Sequence, residues 1–311
     1  MPVSILINAP YLSPMTKTKK ASTKPTNEAR KHHWLTKGFM TPWLGGDNRV
    51  QRFYRPHIKV ISRRHAPRGF AWEEDLYRLQ IPDAKNPVEV EEKMGRIEDA
   101  GLRVRDKILQ TSIDGLTPKE KAEFALFLAL LLVRRPEYVK PKIDPAQEDW
   151  ERRMLEAFEK PIEMGKLDKN SLLEMCEGIG SGLVFQGMLD SAKTWAAKII
   201  LLTWRSFDLR SGNLPVVLAD YPFKMWGGEN GELAKVTIPL APYCIFVAGE
   251  AQSWTEICYR EEFRQALAID FIGDQFRSAN KFVVALDNGK NDVYLKLAND
   301  NWGHDAPKSL S

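Results

Sequence analysis

Two adjacent histidines, His32 and His33, are the residues of this chain best suited to chemistry, and the whole chain has five histidines. Imidazole titrates near physiological pH and is a common metal ligand. Far downstream, Asp220 follows the short apolar run 216–219 and would present a carboxylate at the end of a strand. A histidine and a carboxylate together can form a general base with its orienting group, or can bind a divalent metal. The sequence therefore predicts a polar site built on His33 and Asp220.

Neighbouring side chains on a β-strand point to opposite faces, so the two histidines cannot both line one pocket in a regular strand. We predict that His33 points inward and that His32 points outward or supports the site from behind. The competing interpretation is a histidine that only hydrogen-bonds within the strand. The chain has neither an H-E-x-x-H nor an H-x-x-x-H motif, so the sequence indicates a metal site only weakly.

Two adjacent arginines, Arg134 and Arg135, end the most apolar stretch of the chain just before Pro136. A guanidinium can bind phosphate or carboxylate through paired hydrogen bonds, and it can equally satisfy free carbonyls at a helix C-terminus. Because adjacent helical residues point in different directions, one arginine could serve each purpose. Asp75, in the acidic run 73–75, is predicted either to take part in binding or to lie on a solvated face. Asp220 likewise either belongs to the site or caps the turn after its strand.

The positive charge of the chain is concentrated near its N-terminus. The net charge is +4, and residues 16–31 contain six basic residues against one acid. The rest of the chain is therefore nearly neutral, and the N-terminal segment alone provides electrostatic attraction for a polyanion. We predict that residues 1–28 form a disordered basic leader, which either aids solubility or contacts nucleic acid.

Composition places the protein among cytoplasmic globular proteins. The longest uncharged apolar run, residues 124–133, is about half of the roughly 20 residues that a membrane span needs. No secretion signal precedes the fold, and the three cysteines show no C-x-x-C spacing. These features argue against a membrane protein, a disulfide framework and a cysteine-rich zinc site.

Turn and periodicity signals divide the chain into two strand-rich ends around a helical middle. The turn cluster 45–48 predicts a β-hairpin between residues 34–43 and 50–54, with another strand at 58–61. Apolar periodicity and helix-start signals such as Thr117-Pro118 predict helices over about 87–206. Further strands are predicted at 214–219, 234–238, 243–247 and 282–286, with a helix at about 260–278.

These elements predict an α+β fold in which the C-terminal strands complete one mixed or antiparallel sheet with the N-terminal hairpin. Residues 29–290 are expected to form a single domain, and residues 291–311 a C-terminal tail.

The order of these features resembles that of a widespread bacterial family whose function is uncharacterised. Its members open with a His-His-aromatic-aliphatic-Pro-x-aromatic-x-Leu motif, and later carry an Arg-x-Pro-like element and a Ser-Asp-x-Pro motif. The match spans roughly residues 31–286 and rests on 32–35 with Phe39, Met40 and Trp43, and on 74–77, 134–136, 220–222 and 275–284.

Two positions depart from the family pattern. Thr36 stands where the family usually has proline, and Ala219 stands where it usually has serine. The missing hydroxyl at 219 argues against a nucleophile there. The resemblance implies an architecture and a pocket, and it implies no established activity.

Two hypotheses of function follow. The first is a phosphoester hydrolase acting on nucleic acid, with His33 as general base or metal ligand, Asp220 as metal ligand or orienting group, and Arg134 as the anion-binding group. His32, Arg135 and Asp75 would contribute to binding. The cofactor stays open in this hypothesis; a divalent metal is one option, with His33 and Asp220 as its candidate ligands. The second is a non-catalytic protein that binds nucleic acid or a partner, in which the same motifs determine the fold.

Overall fold

The computed structural model describes residues 30–210, 214–227, 233–249 and 261–302. The predicted leader, residues 1–28, lies outside these ranges. The strands are β1 (Lys31–His33), β2 (Val50–Tyr54), β3 (Ile61–His65), β4 (Trp72–Glu74), β5 (Thr203–Asp208), β6 (Leu218–Ala219), β7 (Lys224–Gly227), β8 (Leu233–Ala241), β9 (Cys244–Gly249) and β10 (Phe282–Ala285). The helices are α1 (Lys37–Met40), α2 (Glu89–Gln110), α3 (Pro118–Val133), α4 (Pro136–Ala157), α5 (Glu159–Glu163), α6 (Lys169–Cys176), α7 (Ile179–Ile200), α8 (Glu261–Ser278) and α9 (Asn291–Asn301). This arrangement confirms the predicted α+β class.

The strands form three antiparallel sheets rather than the single sheet that was predicted. Strand β1 pairs with β4, the second sheet has the order β3-β2-β10-β6, and the third has the order β5-β9-β8-β7. The N-terminal hairpin and C-terminal strands do meet, because β10 pairs with β2 on one side and β6 on the other. The third sheet forms separately because only two residues separate β8 from β9, so these strands pair with each other.

The N-terminal hairpin lies later in the chain than predicted. Residues 34–43 contain α1 and a 3-10 turn instead of a strand, and the hairpin is formed by β2 and β3. The cause is local, because Thr36 caps α1 by accepting a hydrogen bond from the Phe39 amide at 3.0 Å. Phe39 and Trp43, four residues apart, then both enter the core.

The helical middle follows the sequence signals as far as Ile200, whereas residues 203–206, which were predicted to end it, belong to strand β5. Thr117 and Glu120 form a capping box at the start of α3, with a hydrogen bond of 2.8 Å from the Thr117 amide to the Glu120 carboxylate. Residues 127–133 of α3 are all buried, since the helix packs between α2 and α7. Helix α2 approaches α3 closely at Gly101, where a Cβ would lie 2.2 Å from the Phe127 side chain.

The residues predicted to form a C-terminal tail include α9, which packs against α8. Tyr294 and Ala298 of α9 are fully buried, and the Tyr294 hydroxyl donates to the Pro215 carbonyl at 2.8 Å. The spacing of Tyr294, Ala298 and Trp302 is that of one helix face. None of the helices in the described ranges is long and apolar enough to cross a membrane.

Candidate functional site

The two histidines lie on opposite faces of β1, but their orientation is the reverse of the prediction. His32 is 1% exposed, whereas His33 is half-buried. The Nδ1 atom of His32 accepts a hydrogen bond of 2.8 Å from the Tyr77 amide, and the two rings lie parallel with centroids 5.7 Å apart. His32 points inward because the loop after β4 brings this backbone donor into the core, where it requires an acceptor.

His33 has a neutral imidazole in a positively charged environment. Its Nε2 atom is shielded from solvent and has no hydrogen-bond partner among the described residues. Burial lowers the pKa of His33 to about 4, and the charges of Lys37, Arg134 and Lys31 act in the same direction. The imidazole is therefore unprotonated at neutral pH, yet the surrounding cations oppose binding of a metal ion.

Arg134 is a buried structural group with its hydrogen bonds already made. The side chain is 1% exposed and forms an ion pair with Glu98 of α2. Its guanidinium also donates to the His33 carbonyl, and the Tyr77 hydroxyl donates to the Arg134 carbonyl. Arg134 thus joins β1, α2 and the loop after β4, and these partners occupy the guanidinium that was predicted to bind an anion.

Arg135 takes the helix-terminal role that the sequence offered to one of the two arginines. Its Nε donates to the Leu132 carbonyl at 3.3 Å, near the end of α3. Its guanidinium lies 3.8 Å from the centroid of the Tyr221 ring, a cation–π contact. The stacking connects the end of α3 to the segment that follows β6.

The Asp220 carboxylate caps the turn between α8 and β10. It accepts hydrogen bonds from the amides of Asn280, at 2.9 Å, and Lys281, at 2.8 Å. Burial raises the pKa of Asp220 to about 6, against the opposing effect of these two amides. Within the described ranges, no hydrogen bond or ion pair joins Asp220 to His33.

The Asp75 carboxylate contacts Arg30, and among the described residues it forms no hydrogen bond or ion pair with His33 or Asp220. Its backbone has a left-handed φ of +54°, and its carboxylate receives two hydrogen bonds from Arg30, the shorter being 2.6 Å. The carboxylate lines an open cavity of about 460 Å³ formed with residues of the loop before α2. In the part of the chain that the structure describes, no three His, Cys, Asp or Glu residues are grouped so as to hold a metal ion.

The fold contains a strongly basic segment that was not predicted to belong to the site. Residues 49–72 contain seven arginines and lysines and no acid. They form the β2–β3 hairpin and the turn that follows it. The net charge of the chain outside the leader is close to zero because acidic residues elsewhere balance the positive charge of this segment. Net charge calculated in short windows along the sequence would have identified the segment.

One face of this hairpin combines arginines with aromatic rings. Arg52 of β2 lies opposite Arg63 of β3, and strand alternation puts Tyr54 and His65 on the same face. We call these four residues the basic hairpin face. The Arg52 guanidinium lies 4.6 Å from the centroid of the Tyr54 ring, and the Tyr54 and His65 rings are 6.0 Å apart.

The Arg52 guanidinium also packs against Phe70 and Phe282, 4.8 and 5.3 Å from their ring centroids, and the described residues form no ion pair with Arg52 or Arg63. Arg52 is half-buried, and its Nε has no hydrogen-bond partner within the described residues. Burial lowers the pKa of Arg52, while Tyr54 and Asp220 raise it. The opposite face of the hairpin is different, because Phe53 packs in the core and Arg64 pairs with Asp47 and Asp287.

The structure thus describes an α+β protein in which His32, Arg134, Arg135 and Asp220 each form at least one hydrogen bond with a backbone group. Comparison with protein families shows that the chain belongs to the DUF4238 family of proteins of unknown function, whose model matches residues 31–287. This match confirms the resemblance to an uncharacterised family. The search of curated proteins gave no significant match, and neither did the search of solved structures.

Proposed function

We propose that this protein binds single-stranded nucleic acid through the basic hairpin face, and that the family-like motifs maintain the fold. The observation that carries this proposal is the stacked, half-buried Arg52 opposite Arg63, in a segment of seven cations without an acid. Arg63 is exposed and lies opposite Arg52, so the pair offers positive charge and guanidinium donors to an anion at the surface of the hairpin.

The chemistry of the face favours nucleic acid over other polyanions. Arginines bind phosphates, while Tyr54 and His65 provide ring surfaces on which unpaired bases can stack. The four side chains come from two paired strands, so the platform is fixed by the backbone hydrogen bonds of the sheet. Single strands are preferred because base stacking on a flat sheet face requires exposed bases.

The binding test uses fluorescence anisotropy with a labelled single-stranded RNA or DNA of about 20 nucleotides. The main variant is Arg52→Gln/Arg63→Gln, which removes both positive charges of the basic hairpin face. The matched control is Lys19→Gln/Lys20→Gln in the leader, which removes the same charge. We expect the hairpin variant to bind at least tenfold more weakly and to show a salt dependence less steep by about 1.4 in log–log slope.

The stacking component is tested by Tyr54→Leu, which keeps an apolar side chain but removes the ring. We expect weaker binding, since each stacked base contributes roughly 1–3 kcal/mol. Wild-type affinity in both hairpin variants, with the fold verified by circular dichroism, would refute the proposal. Equal losses in the hairpin and leader variants would reduce it to general electrostatic attraction.

Hydrolysis of the bound nucleic acid is a second candidate function, and one observation favours it. Asp220 has a pKa of about 6, near the value suited to a general base, and its charge acts on Arg52. The same oligonucleotides incubated with Mg²⁺, Mn²⁺ or EDTA would reveal cleavage. Metal-dependent cleavage that is lost in His33→Ala and Asp220→Asn would support a hydrolase, and intact substrate would leave binding alone.

A further inference from the structure

The basic hairpin face contains one histidine, His65, next to its two arginines. In the register of β2 and β3, His65 pairs with Val50, and the next pair on the same face is Arg52 with Arg63. Because side chains two residues apart on a strand share a face, the imidazole and both guanidiniums occupy neighbouring positions. Of the four residues of the face, His65 is the one whose charge can change near neutral pH.

The charged groups that act on His65 within the described residues are all arginines. Arg52 lies on β2, Arg49 directly precedes that strand, and Arg63 lies on β3. Burial lowers the pKa of His65, and the three guanidiniums act in the same direction. At neutral pH the imidazole of the free protein is therefore unprotonated.

The other elements packed around His65 contribute rings. The Tyr54 ring of β2 lies 6.0 Å from the His65 ring, and the Phe70 ring, which follows the turn after β3, lies 6.2 Å away. Phe282 of β10 packs on Phe70. Helices α8 and α9 cover the opposite face of the sheet, where Phe53 packs against both of them. The Nε2 atom of His65 is shielded from solvent and has no hydrogen-bond partner among the described residues.

We propose that the basic hairpin face takes up a proton at His65 when it binds single-stranded nucleic acid, so that binding strengthens as the pH falls below neutral. This inference rests on the proposed function and adds a pH dependence to it. The proton comes from solvent and converts the imidazole to an imidazolium.

The physical cause is the charge that the ligand brings. Phosphates that approach Arg52 and Arg63 place negative charge beside His65 and offset the repulsion from the guanidiniums, which favours the protonated imidazole. The bound state then holds the proton at a pH at which the free state has released it. By linkage, the affinity rises as the pH decreases between the pKa of His65 in the free protein and its higher pKa in the complex.

A second group that titrates in this range acts on the same face. The pKa of Asp220 is about 6, and its charge raises the pKa of Arg52. Protonation of Asp220 would also favour anion binding, because it removes a negative charge that acts on an arginine of the face. The test therefore compares proteins that all contain Asp220, so that a difference between them arises from the histidine that was replaced.

The first measurement is the association constant of the full chain for an oligothymidylate of about 20 nucleotides, whose bases and phosphates do not titrate near neutral pH. It is measured by fluorescence anisotropy, at constant salt and with a dye insensitive to pH, from about pH 8 to about pH 5.5. We expect the constant for wild type to rise roughly five- to tenfold, since tenfold corresponds to a rise of one pH unit in a single pKa.

Two variants assign this pH dependence to one residue. His65→Asn should show less than half of the rise on a logarithmic scale, and the remainder reports Asp220. The matched control is His57→Asn, which replaces an exposed histidine in the turn between β2 and β3 and should keep the full rise.

The second measurement follows the proton directly and uses the wild-type protein. The imidazole carbon–hydrogen resonance of His65, assigned by its absence in His65→Asn, is titrated by nuclear magnetic resonance with and without the oligonucleotide. We expect the pKa of His65 to be higher in the complex by about one pH unit or more. In the free protein, Arg63→Gln should raise the same pKa, because it removes one of the repelling charges.

The outcomes separate this inference from the proposed function. An oligonucleotide that does not bind at any pH would overturn both. Binding with an affinity that is independent of pH, or with the same pKa of His65 in the free and bound protein, would leave the binding function and refute the proton uptake. Loss of the pH dependence in His57→Asn, with the dependence kept in His65→Asn, would assign the proton to His57 and overturn the inference.

Discussion

Replacement of Arg134 by methionine separates a structural role of this residue from a functional one. The variant removes the ion pair with Glu98, the hydrogen bond to the His33 carbonyl and the contact with Tyr77. Glu98 has a side chain that is 19% exposed, so its carboxylate would remain largely buried without a counter-ion. Loss of one partner of a buried ion pair typically costs roughly 3–5 kcal/mol.

We expect this loss to lower the melting temperature of the Arg134→Met variant by about 6–15 °C, measured by differential scanning calorimetry. The matched control is Arg152→Met on α4, where the arginine pairs with Asp149 and Glu156 but is 57% exposed. Exposed ion pairs contribute little, so the control should melt close to wild type. The double variant Arg134→Met/Glu98→Gln should recover part of the lost melting temperature, because it also removes the unpaired carboxylate charge of Glu98.

Two results would contradict a structural role for Arg134. A variant Arg134→Met that melts within experimental error of wild type, yet no longer binds or cleaves nucleic acid, would show that the guanidinium acts on a ligand. No recovery in the double variant would show that the ion pair is not the source of the instability.

Two further predictions concern Asp220 and the contact between α2 and α3. The pKa of Asp220 rises from an ordinary 3.8 to about 6 in the fold. The folded state therefore binds a proton at Asp220 more tightly than the unfolded state does. The resulting contribution to the free energy of unfolding is present in full below about pH 4 and is lost as the pH rises through about 6. The free energy of unfolding of wild type, relative to Asp220→Asn, should fall by roughly 3 kcal/mol between pH 4 and 7 in urea titrations; a pH-independent difference would contradict the raised pKa. Gly101→Ala should destabilise the fold by roughly 1–3 kcal/mol because its Cβ would overlap Phe127. Gly95→Ala in the same helix meets no neighbour and should stabilise it by up to about 1 kcal/mol; chemical denaturation of both variants checks the sign.

The elements that could be predicted from the sequence are those determined by neighbouring residues. The start of α3 was predictable because Thr117, Pro118 and Glu120 act within one turn. The β8–β9 strands were predictable for the same reason. The orientation of His32 was not, because alternation specifies that two neighbours differ but not which of them faces the core. That choice depends on the Tyr77 amide, 45 residues away.

The partners of the site residues are equally remote. Arg134 pairs with a glutamate 36 residues earlier, and Asp220 caps a turn 60 residues later. Neither contact can be recognised from the residues next to it in the sequence. The residue types therefore suggested a reactive site, whereas in the fold these side chains form hydrogen bonds and ion pairs between distant segments. The basic hairpin face differs from these residues, because its positive charge can be recognised from neighbouring residues in the sequence. It was missed because the charge was counted over the whole chain.

The contacts of His32, Arg134 and Asp220 indicate which parts of the molecule to examine for a function. His32, Arg134 and Asp220 each connect segments that meet only in the folded chain, and each binds at least one backbone group. Such contacts stabilise the fold of this chain, and a fold by itself does not specify a ligand. Buried polar atoms without a hydrogen-bond partner among the described residues include Arg52 Nε and Thr237 Oγ1, and also His33 Nε2 and Asp75 Oδ1 among the predicted site residues. Unpaired buried polar atoms destabilise a fold, and we therefore expect a bound molecule to supply the missing partner at some of these positions, inside or outside the motifs.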